Sequence, residues 1–233
     1  MGEATDLGEV ILQRRFDPGR EALKWVAVVT MTIDHIGSVL YPEVEVLRII
    51  GRISFPIFGY LIVLGVWSTR NVKKYLLRLL VFAFISQIPY FMAHDYGPFD
   101  SLDIYFTLFF GALGILNPFL LLLSLAVSFF LNFDYGPYGI ALISAMQLLR
   151  GNQKWGIIMI VVFNVLVYFM WTNQVYSLLA LPLILAHGNG LLGKERTTSS
   201  SSPYPAWRKY LFYCYYPAHL AVLVLIRMYL RGF

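Results

Sequence analysis

Residues 23–42 read LKWVAVVTMTIDHIGSVLYP. Twenty residues of α-helix rise about 30 Å, the thickness of a bilayer's hydrocarbon core. After Lys24 the run carries no charge until Asp34 and His35, which stand side by side past its midpoint. Ionisable groups at that depth are costly in lipid and turn toward a bundle interior or a water-filled cavity. The stretch therefore predicts one helix of a multi-helix membrane bundle rather than a lone anchor.

The rest of the chain agrees. Apolar runs recur at 22–41, 47–67, 75–93, 104–117, 119–133, 137–149, 155–171, 174–188 and 209–230. Nothing in lipid hydrogen-bonds a bare backbone, so runs of this length read as helices. The expectation is an all-α polytopic bundle of about nine transmembrane helices. Counts of eight or ten stay open, because the runs meeting at Asn117-Pro118 are short and form either a re-entrant hairpin or one broken helix. Several runs fall below the ~20 residues of an upright crossing, which points to helices packed on protein or lining a cavity. Of 233 residues, 58% are hydrophobic and 13% charged, too few charges to cover a soluble fold, where about 25% is usual. The mean hydropathy of +0.66 says the same. Tyr and Trp gather at the run ends, where amphipathic rings favour the membrane boundary.

Basic residues give the orientation. With the N-terminus in the cytoplasm, Arg14, Arg15, Arg20, Lys24, Arg70, Lys73, Lys74, Arg78, Arg150, Lys154, Lys194, Arg196, Arg208 and Lys209 fall at inner span ends, 14 of the 18 Lys and Arg. Arg48, Arg52, Arg227 and Arg231 fall on the outer side. This alternation follows the positive-inside rule, and it accounts for the net charge of +5 without nucleic acid. The domain reading is a cytoplasmic segment 1–21, then a single membrane domain 22–233 with a flexible Ser- and Pro-rich cytoplasmic loop at 194–208. No cleavable signal peptide and no internal repeat is read. The one cysteine, Cys214, excludes an intrachain disulfide and is expected to pack as a small apolar residue.

Chemistry is expected where polar groups enter the spans. Lys24 precedes His35 by eleven positions, about three turns, so both share a helix face about 16 Å apart along the axis. A basic mouth leading to a deep imidazole suits an anionic ligand that threads inward. The plainer alternative is a Lys24 that reaches back to the interface and a His35 that pairs with a neighbouring helix. In the second span, RIIGRISFPIFGYLIVLG, Arg48 and Arg52 are four apart and share a face. Arg52 lies deep enough to need an anion, and Asp34 is nearest in depth. A locking pair and a functional pair are equally compatible with that. Pro56, with Gly51 and Gly59, predicts a kink or close packing there. His219, deep in the last span after Pro217, is read equally as structural or functional, and His187 as part of a helix C-cap region. The outer stretches HDYGPFDSLD (94–103) and NFDYGP (132–137) place His94, Asp95, Asp100, Asp103 and Asp134 on an acidic, aromatic rim. Such a rim suits an amine-bearing acceptor or is simply solvated loop. His94 and Asp95 lack metal-ligand spacing to another His, so no metal site is expected. No Walker, Rossmann or G-x-S-x-G pattern appears.

The stretches MTIDHIG, LRIIGRISFPIF, TRNVKKYLLRLLVFAFISQIPY, the FTL of IYFTLFFGAL, DYGPYGI and KYLFYCYYPAHL together resemble the TraX family, the F-pilin acetylation proteins and their bacterial relatives. The resemblance runs from about Leu23 to Leu223. Through that family the chain is similar to a broader group of transmembrane acyltransferases, including the acyltransferase-3 proteins that O-acylate surface polysaccharides and the lysosomal heparan glucosaminide N-acetyltransferase. Many acyltransferase-3 proteins place an Arg, then ten intervening residues, then a His, in the first span. Lys24 and His35 look like that arrangement with Lys for Arg. The resemblance implies acetyl transfer from cytoplasmic acetyl-CoA to an acceptor peptide, pilin or glycan reached from the outer side of a bacterial cytoplasmic membrane. It implies His35, Asp34 and Arg52 as catalytic residues and Lys24, Arg48, Lys73, Lys74, Arg78 and His219 as residues holding the donor. Two other functions fit the buried charges: a transporter or flippase for an anionic molecule, and a noncatalytic scaffold for envelope assembly.

Overall fold

The computed structural model describes residues 13–97, 100–170, 172–193, 196–199 and 206–232. Ten α-helices stand among them: α1 (Pro18–Leu40), α2 (Glu45–Gly51), α3 (Ser54–Ser68), α4 (Val72–His94), α5 (Ile104–Leu116), α6 (Pro118–Phe130), α7 (Gly136–Gly151), α8 (Gln153–Tyr168), α9 (Leu181–Gly188) and α10 (Ala206–Arg231). A 3-10 helix, Thr172–Ala180, leads into α9. A short ribbon pairs β1 (Gln13–Phe16) antiparallel with β2 (Arg196–Ser199), Gln13 opposite Ser199. So part of the 194–208 loop is a strand, while residues 194, 195 and 200–205 lie outside the described residues. The protein is an all-α membrane bundle. α1, the α2–α3 pair, α4 and α10 are each long and apolar enough to cross a bilayer, and α5, α6 and α8 are shorter apolar helices.

The short helices have local causes. Asn117 ends α5 and caps α6, its side chain accepting from Phe119 N, with Pro118 as the first residue of the new helix. Pro fits there because that position needs no amide donor. Asn152 does the same between α7 and α8, accepting from Trp155 N. At the first of these joints Leu121 packs against Gly114. Asn117-Pro118 therefore joins two distinct helices packed as a hairpin. The second span is interrupted where its proline predicts a kink. Pro56 has no N–H for the Arg52 carbonyl, and its ring crowds that carbonyl, so α2 stops at Gly51 and α3 starts at Ser54. In α10, Pro217 frees the Tyr213 carbonyl in the same way, and Tyr105 Oη donates to it at 3.1 Å.

Contacts between helix ends sort into two sets. At one end the start of α1 meets the ends of α3 and α9: Arg20 Nη1 donates to Ser68 Oγ, and His187 bridges Asp17 and Tyr60 at 3.0 Å each. Arg150, at the end of α7, stacks on Trp67 of α3. At the other end Arg227 of α10 binds Asp95 and the Ala93 carbonyl, Leu102 and Asn132 join the loops flanking α5 and α7, and Asn173 donates to Glu45. Of the long helices, α1, α4 and α10 thus run one way and the α2–α3 pair the other. Large apolar side chains face outward on α4, α6, α8 and α10, among them Phe84, Ile88, Leu122, Phe129, Leu166 and Leu225. A soluble protein would not leave so broad an apolar surface bare. Cys214, expected to pack as a small apolar residue, is exposed in this outer layer. Lipid solvates an apolar thiol as well as protein does, so nothing drives it inward.

Candidate functional site

A cleft of about 100 Å³ opens between α1, the α2–α3 junction, α4, α5 and α10. Its floor and walls include Asp34, His35, Arg48, Arg52, His94, Asp134, Tyr105, Phe212 and Tyr216. Asp34 holds the centre of charge. Arg48 Nη1 donates to its Oδ2 at 2.6 Å and to its backbone carbonyl at 3.2 Å. Arg52 Nη2 reaches Oδ1 at 3.3 Å. Arg52 Nη1 donates to Gln174 Oε1 at 3.3 Å. Gln174 in turn donates to Tyr138 Oη at 3.2 Å, which is bonded to Asn164. A chain of buried polar groups from α7, α8 and the 3-10 helix thereby aims Arg52 at Asp34. Such networks are rigid because each unpaired member would be costly.

His35 turns from Asp34 toward α10. Its Nδ1 lies 2.7 Å from His219 Nε2, and the two rings are 4.9 Å apart between centroids. His219 Nδ1 donates to the Tyr215 carbonyl at 2.9 Å. His94 stands edge-on to His35 at 6.4 Å and donates from Nδ1 to the Tyr90 carbonyl at 3.0 Å. Lys24 lies on the same face of α1: its Nζ is 5.3 Å from the Phe212 ring, seven residues before His219 on α10. It also forms an ion pair with Glu21 at 2.6 Å.

The predicted residues fall into two groups. Asp34, His35, Arg48, Arg52 and His219 come together in or beside the cleft. Lys73, Lys74 and Arg78 sit at the start of α4, at the bundle end where Arg20 binds Ser68. Arg48 and His219, expected among the residues holding the donor, stand beside Asp34 and His35. Buried guanidinium nitrogens, Arg20 Nε and Arg78 Nε, have no hydrogen-bond partner among the described residues. The sequence placed His94 only on a rim and did not single out Gln174. A His at a helix end and a Gln in a polar stretch carry no distinguishing signal. Asp103 is fully buried, capping α5 through Tyr105 N and bonded to Ser86, so it is not part of an open rim. Among the described residues no group of three His, Cys, Asp or Glu side chains is arranged to hold a metal ion.

A membrane bundle with a charged, His-bearing cleft defines the class. The chain belongs to the TraX family, whose match spans residues 19–227. It is 27% identical over 256 residues to "Probable fimbrial assembly protein FimC, serogroup H1" of Dichelobacter nodosus, covering 94% of this chain and 100% of that one. It is also 56% identical over 41 residues to "Uncharacterized protein RP591" of Rickettsia prowazekii (strain Madrid E), a segment that is 18% of this chain and 16% of that one. No solved structure matches the chain.

Proposed function

We propose that this protein is a membrane-embedded acetyltransferase that moves the acetyl group of acetyl-CoA onto an acceptor amine or hydroxyl. The observation that supports it best is His35, which lines the cleft with one ring nitrogen bonded to His219 and the other without a partner among the described residues. An imidazole held by one nitrogen and open at the other is the arrangement of a general base. His35 takes the proton as the acceptor nitrogen or oxygen attacks the thioester carbonyl. The tetrahedral adduct then collapses, the C–S bond breaks, and the departing thiolate recovers that proton as free CoA. Arg52, lining the cleft and aimed by Gln174 and Asp34, offsets the charge that builds on the carbonyl oxygen.

The donor enters from the bundle end that carries Lys73, Lys74 and Arg78. The unpartnered Nε atoms of Arg20 and Arg78 fit an anionic ligand rich in phosphate oxygens, and Lys24 lies between that end and His35. The acceptor enters at the opposite end, past Asp134 and His94. By the charge bias of the sequence the donor end is cytoplasmic and the membrane is the bacterial cytoplasmic one. The FimC relative's printed role in fimbrial assembly favours a pilin-like peptide as acceptor over a glycan.

The test is turnover. Protein reconstituted in nanodiscs is incubated with radiolabelled acetyl-CoA and either a peptide with a free N-terminus or an amino sugar. Label transferred to one of them supports the enzyme. Label carried across a liposome membrane without transfer would replace this reading with transport.

A further inference from the structure

We propose that His219 is a positioning residue that fixes the tautomer of His35, so that the Nε2 of His35 is the bare, proton-accepting nitrogen in the cleft. The inference deepens the acetyltransferase reading and rests on it. A carbonyl oxygen only accepts hydrogen bonds. His219 Nδ1, 2.9 Å from the Tyr215 carbonyl, therefore carries the proton of that ring. The neutral His219 then presents Nε2 as an acceptor, and the 2.7 Å contact with His35 Nδ1 requires His35 to be the donor. With its proton on Nδ1, neutral His35 has its lone pair on Nε2. The direction of the whole chain, Tyr215 carbonyl to His219 to His35, is set by one backbone oxygen.

Three further observations hold the chain in place. Thr32 Oγ1 donates to the Val28 carbonyl at 2.8 Å, so its 2.7 Å contact with Tyr215 Oη is donated by the tyrosine. That bond ties the turn of α10 bearing the key carbonyl to the turn of α1 before His35. The Tyr215 ring stacks on His219 at 5.1 Å with 15° between planes, which leaves that imidazole little room to rotate. His219 is itself buried, 9% exposed, and does not line the cleft. It is therefore placed to act through His35 and not to touch a bound donor. Partners of this kind orient an imidazole and select its tautomer elsewhere in protein chemistry. Here the orienting group is a second histidine, neutral and polar enough to sit inside a membrane helix without a net charge.

The experiment compares wild type with His219→Leu, His219→Gln and His219→Asn in nanodiscs. Gln reaches as far as Nε2 and offers an oxygen acceptor; Asn falls short. Histidine-selective 15N labelling gives a tautomer readout independent of activity, and the chain has only four His. In the wild type and in His219→Gln, the His35 signals should be those of an Nδ1–H ring. In His219→Leu and His219→Asn they should move toward the Nε2–H form. Turnover should fall about tenfold or more in those two and recover in the Gln variant, since a general base contributes about 10²–10⁴ in rate. The KM for acetyl-CoA should stay within about twofold throughout. An unchanged His35 tautomer in His219→Leu, or a raised KM for acetyl-CoA with unchanged turnover, overturns the proposal. If His219→Leu does not fold, the Asn and Gln variants carry the comparison. Absence of transfer from the wild type would instead overturn the acetyltransferase reading, while the spectra still decide the role of His219.

Discussion

Asp34 and Gly51 meet where α1 crosses α2, so closely that a Cβ on Gly51 would fall 2.0 Å from Asp34 Oδ1 and 2.2 Å from its Cβ. No side chain other than hydrogen fits there. The glycine lets the α2 backbone approach until Arg48 and Arg52, on either side of it, both reach one carboxylate. Gly51→Ala should push the helices apart and cost about 1–3 kcal/mol, the range of overpacking in a tight core. Thermal unfolding in detergent should show a lower Tm and a reduced folded yield. A wild-type Tm with wild-type turnover would mean that the contact is not needed.

The Asp34 cluster sets an order among charge deletions. Asp34 and Arg52 have side chains 12% and 15% exposed, and Arg48 31%. Removing Asp34 strands two guanidiniums in a low-dielectric site. Removing either arginine leaves the carboxylate one partner. Asp34→Leu should therefore cost most, about 3–5 kcal/mol as for breaking a buried pair. Arg52→Met should cost less, and the more exposed Arg48→Met least. Unfolding midpoints of the three single variants check this. The opposite order would show that desolvation of Asp34 outweighs its pairing.

His35→Ala removes the proposed base without touching this cluster, because His35 bonds to His219 and not to Asp34. Turnover should drop about 10²-fold or more with the Tm close to wild type. Equal turnover in the two proteins would place the base elsewhere, and His94, also lining the cleft, is the next residue to test.

Much of this bundle was legible in the sequence because spans announce themselves by length and apolarity. The run read at 22–41 is α1 at Pro18–Leu40, and the break near Pro56 falls where the missing amide requires it. The shared face of Lys24 and His35 followed from helical periodicity, and both do face α10. Pairings between distant helices were not legible. The sequence named Arg52 as the partner of Asp34 by depth, yet Arg48, four positions earlier on the same face, makes the shorter bond. His35 and His219 are 184 positions apart, and periodicity says nothing about which helix a face will meet. Lys24 keeps a local partner, Glu21, one turn away, which a depth argument overlooks.

Asp134 offers a test of amine against hydroxyl acceptors. It is exposed, lines the cleft, and lies within electrostatic reach of His94 and Arg52. A carboxylate at the entrance favours a cationic group. Asp134→Asn should raise the KM for a peptide with a free N-terminus several-fold, on the order of a single exposed charge contact, and leave the KM for acetyl-CoA unchanged. If an uncharged hydroxyl acceptor loses as much as the peptide, Asp134 does not read the acceptor's charge.

The last prediction concerns sidedness, on which donor and acceptor routes depend. The two sets of helix-end contacts require that Glu43, between α1 and α2, and Gln153, at the start of α8, lie at opposite ends of the bundle. Both are exposed. Lys and Arg near short spans resist translocation, and Lys73, Lys74, Arg78, Arg150 and Lys154 all gather at the Gln153 end. That end should be cytoplasmic, where acetyl-CoA is made, and the Glu43 end should face out. Single cysteines at these two positions, in a Cys214→Ser background, are probed on intact cells with a membrane-impermeant thiol reagent. Ser101, although in an outer loop by sequence, is a poor probe site because it is buried and bonded to the Asn132 carbonyl. Labelling of Glu43→Cys, with Gln153→Cys labelled only after the cells are opened, is the expected pattern. The reverse pattern would put the Lys- and Arg-rich end outside the cell, and a cytoplasmic thioester would then have no route to His35 from the side proposed.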